Sequence, residues 1–333
     1  MNAILRSVRN NAMRSLISGG ILLLAALGGA LAQQPEVNIA PRTGAKTPPP
    51  ETAVDKRSDI RVDTTLVLIP VSVTTLLGTF VANMDKENFR LYEDKVQQEI
   101  LTFSNQDAAM SIGIVFDTSG SMGEKLKKSR EAVVQFMKIA NPEDEFFMIQ
   151  FSDRPELVVP FTHATEEIAN KLLYTKSHGS TALLDGVYLA MNQMRKAKNP
   201  RKAILIISDG GDNNSRYTQT EVKNAVVESD VQIYGIGIFG GGTTVEEASG
   251  PDLLRRLATM TGAHSYTVDR LSEMPDVAFK IAIELRNEYV LGYSPKNTAR
   301  DGKYRRVEVK LLKVAGLPPL KAAFRTGYYA PGQ

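Results

Sequence analysis

The run IVFDTSGSMG, residues 114–123, places one carboxylate and two hydroxyls where an apolar strand ends. The apolar residues that open it are typical of a buried strand, and a helical pattern begins directly after it. Asp117 closes the strand, and Ser119 and Ser121 follow at alternate positions, so three oxygen atoms can converge on one point. Open α/β sheets bind ligands at the carboxyl ends of their strands. This stretch therefore predicts an α/β fold and a ligand site.

Two later loops offer further oxygen ligands. Thr181 follows a Gly-Ser pair and precedes a helical pattern, and Asp209 closes the apolar run at residues 202–208. In one parallel sheet, both loops would lie beside Asp117. Carboxylates and hydroxyls are hard ligands that suit Mg²⁺, or Mn²⁺ or Ca²⁺, and not soft metals. Because Mg²⁺ takes about six oxygen ligands, the first loop supplies too few, and the other loops must contribute.

Strands alternate with helices through the middle of the chain. Strand patterns occur at residues 111–116, 145–151, 156–160, 202–208, 231–239 and 265–268. Helical patterns occur at residues 123–140, 166–174, 183–196, 219–229, 251–260 and 275–286. This alternation predicts a doubly wound, mainly parallel, Rossmann-like sheet with helices on both faces.

Strand patterns without helices stand on both sides of this block. They occupy residues 65–74, 89–92 and 99–103 before it, and 289–292, 304–312 and 320–326 after it. Residues 93–95 are predicted to form the turn between the second and third of these strands. Two or three strands are marginal as an independent unit. We therefore expect the two segments to pair into one small β-sandwich-like domain with the α/β domain inserted, and two separate β additions are the alternative.

The N-terminus has the three-part pattern of a secretory signal peptide. Three arginines precede an apolar run from Leu16 to Leu31, which ends in Ala30-Leu31-Ala32. This run is short for a membrane span, which needs about 20 residues, although an uncleaved anchor is the alternative. Residues 1–32 are thus predicted to be a signal peptide and residues 33–57 a disordered proline-rich linker. We expect the mature protein to be secreted or periplasmic, with no stable membrane span.

Composition excludes several other classes of function. The 333 residues are 43% hydrophobic and 23% charged, as in a globular protein. The absence of cysteine excludes disulfides, thiolate-bound zinc, iron–sulfur clusters and a thiol nucleophile. A net charge of +3, with the basic residues mixed among acids, gives no reason to expect a nucleic-acid partner.

The complete set of oxygen ligands resembles a known metal site. An Asp-x-Ser-x-Ser run, a threonine after a glycine-containing loop and an Asp-Gly pair closing an apolar strand resemble the metal-ion-dependent adhesion site of von Willebrand factor A-type domains. Its five elements occur here in order, as Asp117, Ser119, Ser121, Thr181 and Asp209. The resemblance covers residues 109–285. With β segments at 58–107 and 286–330, the whole resembles secreted acidobacterial-type proteins related to this domain.

The resemblance implies roles for these residues. Asp117, Ser119 and Ser121 would hold the ion, Thr181 would join them in the ligand-bound state, and Asp209 would act directly or through water. A carboxylate of a partner protein or other macromolecule would fill the remaining position. These roles predict an exported, non-enzymatic, metal-dependent adhesion module. A metal-assisted hydrolase and an envelope scaffold with a purely structural ion are the alternatives.

The sequence departs from the patterns of these proteins at three positions. Lys95 and Ala263 stand where glycine is usual, and both lie away from the metal loops. Lys125 stands where an acid would be needed for an adjacent regulatory ion. The first two departures therefore concern turn geometry and not the ion, and we expect no second ion beside Lys125.

Overall fold

The computed structural model of the protein describes residues 66–105, 107–238, 245–314 and 316–332. The predicted signal peptide, the linker and the first residues of the leading β segment lie outside these ranges. Within them, no helix combines the length and the apolar character that a membrane crossing requires.

The described chain contains fourteen strands and six α-helices. The strands are β1 (Val67–Thr75), β2 (Phe89–Glu93), β3 (Val96–Gln98), β4 (Thr102–Ser104), β5 (Met110–Asp117), β6 (Glu145–Phe151), β7 (Pro155–Thr162), β8 (Arg201–Ser208), β9 (Val231–Gly237), β10 (Ser265–Thr267), β11 (Tyr289–Tyr293), β12 (Tyr304–Leu311), β13 (Leu320–Phe324) and β14 (Gly327–Tyr329). The helices are α1 (Leu126–Met137), α2 (Thr165–Leu173), α3 (Leu183–Met194), α4 (Gln219–Val227), α5 (Val245–Thr261) and α6 (Met274–Arg286).

A six-stranded central sheet forms the core of the α/β domain, in the order β10-β9-β8-β5-β6-β7. Its strands are parallel except for the edge strand β7, which runs antiparallel to β6. Side chains of β5 alternate between two apolar clusters. Ile114 packs with α1 and α6, and Val115 packs with α3. The predicted doubly wound fold is confirmed.

The other eight described strands form two four-stranded sheets, in the orders β13-β1-β11-β4 and β14-β12-β2-β3. Each sheet combines strands that precede the central sheet with strands that follow it. Strand β1 pairs antiparallel with β11, and β12 pairs antiparallel with β2. Ile69, Leu91, Leu291 and Val307 belong to one apolar cluster that both sheets share. The predicted insertion into a β-sandwich-like domain is confirmed, whereas the exact domain boundaries stay predictions.

The predicted position of the third strand is wrong. The turn at Asp94 and Lys95 is followed at once by β3, which pairs with β2, and the next strand, β4, pairs instead with β11. Both turn residues have positive φ, 46° and 69°, as a two-residue hairpin turn of type I′ requires. The side chain of Asp94 supports this strained turn by accepting a hydrogen bond from the Arg306 N–H at 2.9 Å.

Two predicted helix starts also differ from the structure. The helical pattern that begins at Gly123 opens as a 3-10 segment, Gly120–Lys125, and becomes α-helical at Leu126. Helix α5 begins at Val245 and continues through Pro251, which the sequence pattern placed at its start. Glycines weaken helix formation in the first case. The proline in the second case obscured the earlier helical residues, because proline is typical of first turns.

Candidate metal centre

The predicted ligand residues lie at the carboxyl ends of β5 and β8, which are neighbours in the central sheet. Asp117 is the last residue of β5, and Asp209 directly follows β8. Both acids are buried, with 0% and 2% of their surface exposed. Because parallel neighbouring strands end at the same edge, two carboxylates that are distant in sequence meet in the protein interior.

Four of the five predicted residues form one hydrogen-bonded chain. The Ser119 N–H donates to Asp117 Oδ1 at 2.8 Å. The Ser119 and Ser121 hydroxyl oxygens lie 3.1 Å apart, and Ser121 Oγ donates to Asp209 Oδ1 at 2.9 Å. The structure therefore brings together the oxygen atoms that the sequence placed on two separate loops.

Thr181, the fifth predicted residue, is buried at the same end of the sheet. Its N–H donates to Asn213 Oδ1 at 2.9 Å, and its carbonyl oxygen accepts from the Asn213 N–H at 3.0 Å. The preceding Gly179 carbonyl accepts from the Gly120 N–H at 2.9 Å. These bonds connect the threonine loop to both of the other loops.

Two further side chains contact the acids, and the sequence did not identify them as part of the site. Ser208 Oγ donates to Asp117 Oδ2 at 2.6 Å. The Lys125 ammonium donates to Asp209 Oδ2 and forms an ion pair with it. Ser208 directly precedes a predicted ligand and Lys125 follows the serine loop, but their side-chain directions depend on the packed loops.

The electrostatic environment of Asp117 disfavours its charged form. Burial is the main cause and raises the pKa of Asp117 from 3.8 to about 6. The nearby Asp209 carboxylate raises the pKa further, and the hydrogen bonds from Ser119 and Ser208 oppose the rise. A cation between the two acids would offset this repulsion.

The available ligands fit a hard divalent cation. Two carboxylates and three hydroxyls are oxygen ligands of the type that Mg²⁺ prefers. Within the described ranges, no group of three or more His, Cys, Asp or Glu side chains is placed to hold a metal ion. A divalent ion here would therefore depend on hydroxyls, water and an oxygen of a partner in addition to Asp117 and Asp209.

An open groove of about 470 Å³ adjoins the serine loop. The loop that forms one wall is fixed in place by the His178 N–H, which donates to the Thr118 carbonyl at 2.8 Å. The groove is lined by Thr118, Gln150, Lys171, Tyr174, Thr175, Lys176, Ser177 and His178. Its described walls thus carry basic, aromatic and hydroxyl side chains and no acid.

Comparison with known proteins shows which family the central sheet and its helices resemble. The family model of the von Willebrand factor type A domain matches residues 111–279, just over half of the 333-residue chain. Heavy chain 4 of the inter-alpha-trypsin inhibitor from Mus musculus is 32% identical over 136 residues, which cover 35% of this chain and 14% of that protein. A protein of Borreliella burgdorferi is 26% identical over 203 residues, covering 53% of this chain and 58% of that protein. The chain thus spans less than two thirds of the length of either relative.

Among solved structures, a von Willebrand factor type A protein from Catenulispora acidiphila is similar to this chain over a longer range. The similarity covers 81% of this chain and 74% of that one, with 12% sequence identity and a TM-score of 0.46.

Proposed function

The chain belongs to the von Willebrand factor type A domain family, whose domains mediate protein–protein interactions, and on that premise we propose that it binds an acidic partner through a divalent ion. Mg²⁺ is the proposed ion, with Mn²⁺ or Ca²⁺ as possible substitutes. Its ligands would be Asp117, Ser119, Ser121, Thr181 and Asp209. The partner would be a protein or other macromolecule that offers a carboxylate to the ion.

The observation that carries the proposal is the hydrogen-bonded chain from Asp117 to Asp209. Burying a carboxylate costs several kcal/mol by order of magnitude unless a cation or hydrogen bonds compensate. The protein buries two such carboxylates, Asp117 and Asp209, at one edge of the central sheet, and Ser121 Oγ is part of the hydrogen-bonded series that joins them. A bound divalent ion with a replaceable water would balance their charge and attract an incoming carboxylate, because the ion dominates the local field.

The groove beside the serine loop supports an acidic partner. Lys171 and Lys176 line it, and neither has an ion pair among the described residues. Tyr174 also lines the groove and is 82% exposed. Unpaired cations next to an exposed aromatic ring favour a partner segment that carries acids together with aromatic or apolar side chains.

The hydrolase alternative has less support than binding does. It requires a general base near the ion, and Asp209 is the candidate that the sequence offers. In the proposed site Asp209 is itself a ligand of the ion, and its Oδ1 accepts a hydrogen bond from Ser121. We therefore propose a binding role without catalysis, in a protein whose export is expected from residues 1–32.

Calorimetric titration of the protein with Mg²⁺, Mn²⁺ and Ca²⁺ after removal of metals with a chelator tests the ion. We expect one saturable site that Asp117→Ala abolishes. Asp252→Ala is the matched control, because Asp252 is an exposed acid on α5 that pairs with Arg255. Equal ion binding by the wild type and by a folded Asp117→Ala variant would disprove the proposed site.

A synthetic copolymer of Glu and Tyr tests the proposed partner chemistry. We expect the wild type to bind it in Mg²⁺ and to release it in chelator, and both Asp117→Ala and the double variant Lys171→Glu/Lys176→Glu to bind weakly. If Mg²⁺ raises the melting temperature but never promotes copolymer binding, the proposed acidic partner is disproved and the scaffold alternative is favoured.

A further inference from the structure

Lys125 places a positive charge directly on one of the proposed metal ligands. It is the last residue of the 3-10 segment Gly120–Lys125 that continues the serine loop. Its ammonium forms an ion pair with Asp209 Oδ2, and the Asp209 side chain is fully buried. The other oxygen, Asp209 Oδ1, accepts from Ser121. Every hydrogen-bonding oxygen of this carboxylate is therefore occupied by a side chain from the loop that would also hold the ion.

An ammonium and a divalent ion held by this carboxylate would oppose each other. Two cations within a few ångströms repel each other, and the repulsion is poorly screened where water is excluded. The exposed fraction of the Lys125 side chain is 25%, so its flexible stem has a route to solvent. Asp209, in contrast, follows directly on β8 and has no comparable freedom.

We propose that Lys125 is a tethered cation that competes with the divalent ion for Asp209 and thereby sets the affinity of the site. The inference rests on the proposed function, since it concerns the same ion. Without the ion, Lys125 balances the charge of Asp209 and preserves the loop geometry. When the ion binds, the ammonium must leave this carboxylate, and the lost ion pair weakens the measured affinity. By linkage, the ion and the Lys125–Asp209 contact oppose each other equally.

The variant Lys125→Met tests the competition, because methionine keeps most of the apolar stem and removes the charge. We expect calorimetry to give a Kd for Mg²⁺ that is lower by about tenfold or more, as follows from losing one charge-assisted hydrogen bond from the ion-free state. Lys125→Arg retains the charge and is expected to show no such gain. Lys128→Met is the matched control. It makes the same substitution three residues along the chain, where Lys128 pairs with Glu131 on the surface of α1 and not with Asp209.

Thermal unfolding provides a second measurement that does not depend on the heat of ion binding. In chelator, we expect Lys125→Met to melt below the wild type, because it leaves Asp209 without a cation. In saturating Mg²⁺, the rise in melting temperature should be larger for this variant than for the wild type.

The outcomes separate this inference from the proposed function. If the wild type binds Mg²⁺ and a folded Lys125→Met variant binds it equally or less tightly, the competition is disproved and the metal site stands. If only Lys125→Met binds Mg²⁺, the competition is confirmed in its strongest form. If neither protein binds Mg²⁺, Mn²⁺ or Ca²⁺, the metal site and the competition are both disproved.

Discussion

Ser208 Oγ donates a hydrogen bond to Asp117 Oδ2 at 2.6 Å and so joins the ends of β8 and β5. Asp117 Oδ1 accepts from the Ser119 N–H at 2.8 Å. Both oxygens of the carboxylate are thus oriented by the protein itself. A residue outside the proposed ligand set therefore controls the direction of the acid that closes β5.

We expect Ser208→Ala to weaken Mg²⁺ binding by about 10- to 100-fold, the usual effect of removing a partner that orients a metal ligand. The substitution frees Asp117 Oδ2 to rotate and removes a hydrogen bond that favours its charged form. Calorimetry with the Ser229→Ala variant is the control, because Ser229 Oγ donates to the Val226 carbonyl at the end of α4. An unchanged Kd in Ser208→Ala would mean that the Ser119 N–H orients the carboxylate sufficiently.

The raised pKa of Asp117 predicts a pH dependence of stability. Between pH 3.8 and about 6, the folded protein retains a proton on Asp117 that the unfolded chain has lost. The free energy of unfolding without a divalent ion should therefore fall as pH rises through this window, by on the order of 3 kcal/mol from this group. Denaturant unfolding in chelator measures the fall, and Asp117→Asn should lack it. If the free energy of unfolding of the wild type, minus that of Asp117→Asn, stayed constant or rose across the window, the prediction would be contradicted.

The same group predicts that ion binding weakens in acid. A carboxylate must lose its proton to hold a divalent ion, so the Mg²⁺ affinity should be constant well above pH 6. Below that pH it should fall about tenfold for each pH unit, because one proton competes with the ion. Calorimetry between about pH 5 and 8 measures how the Mg²⁺ affinity depends on pH. Below about pH 6 the slope should correspond to the release of about one proton for each ion bound. A pH-independent Kd would show that Asp117 is not a ligand.

Much of the fold and the proposed ligand set could be predicted from local sequence. The alternation of strands and helices depends on periodic apolar residues, and Asp117, Ser119 and Ser121 lie so close together that one turn aligns them. Asp209 required only the rule that ligands gather at the carboxyl ends of strands. These inferences need no knowledge of side-chain direction.

The contacts of Ser208 and Lys125 could not be predicted in the same way. The direction of Ser208 Oγ depends on the pairing of β8 with β5, which sequence periodicity does not specify. The sequence shows only that Lys125 stands where an adjacent ion would need an acid. In the structure, its ammonium forms an ion pair with Asp209. Both contacts join segments more than 80 residues apart, since they span 91 and 84 positions.

Strand β4 illustrates the same limit in the β domain. Residues 99–103 have a strand-like pattern, but the position of a short strand is decided by its partner. Leu291 of β11 pairs with Phe103, and the β2–β3 hairpin occupies the residues before it. Pairing between residues nearly 190 positions apart therefore overrides the local pattern.

His264 predicts a second pH dependence, at the junction of β10 and α6. Its Nδ1 lies 2.5 Å from Glu284 Oε1, and this hydrogen bond raises the pKa of His264, against the opposing effect of burial. Its contribution to stability should be fully present below pH 6.5 and lost as pH rises through the higher folded pKa. His264→Gln should therefore destabilise the protein more in acid than in base.

Denaturant unfolding of the wild type and His264→Gln at several pH values measures this difference. The Asp117 effect is common to both proteins and cancels in the comparison. His163→Gln is the control, since His163 Nδ1 contacts the Asp144 carbonyl and no carboxylate among the described atoms. A difference that grows toward high pH would contradict the predicted sign.

Gly262 joins the α/β domain to the β domain by close backbone contact. It directly follows α5 with φ +80°, the left-handed conformation typical of a glycine that ends a helix. A Cβ atom added to it would lie 2.3 Å from the Phe324 carbonyl carbon and 2.4 Å from the Arg325 nitrogen. Both are backbone atoms at the end of β13, so they cannot move aside as a flexible side chain would.

We expect Gly262→Ala to lower the free energy of unfolding by several kcal/mol, at the severe end of single substitutions. Gly302→Ala separates the cost of the left-handed backbone conformation from the cost of the contact with β13. Gly302 has φ +64°, and no described atom lies within 4 Å of the point that a Cβ would occupy there. That control carries only the conformational penalty of about 1–2 kcal/mol. Denaturant unfolding of both variants measures the excess that belongs to the contact with β13. Equal losses would mean that β13 shifts away without resistance and that Gly262 is retained for its backbone conformation alone.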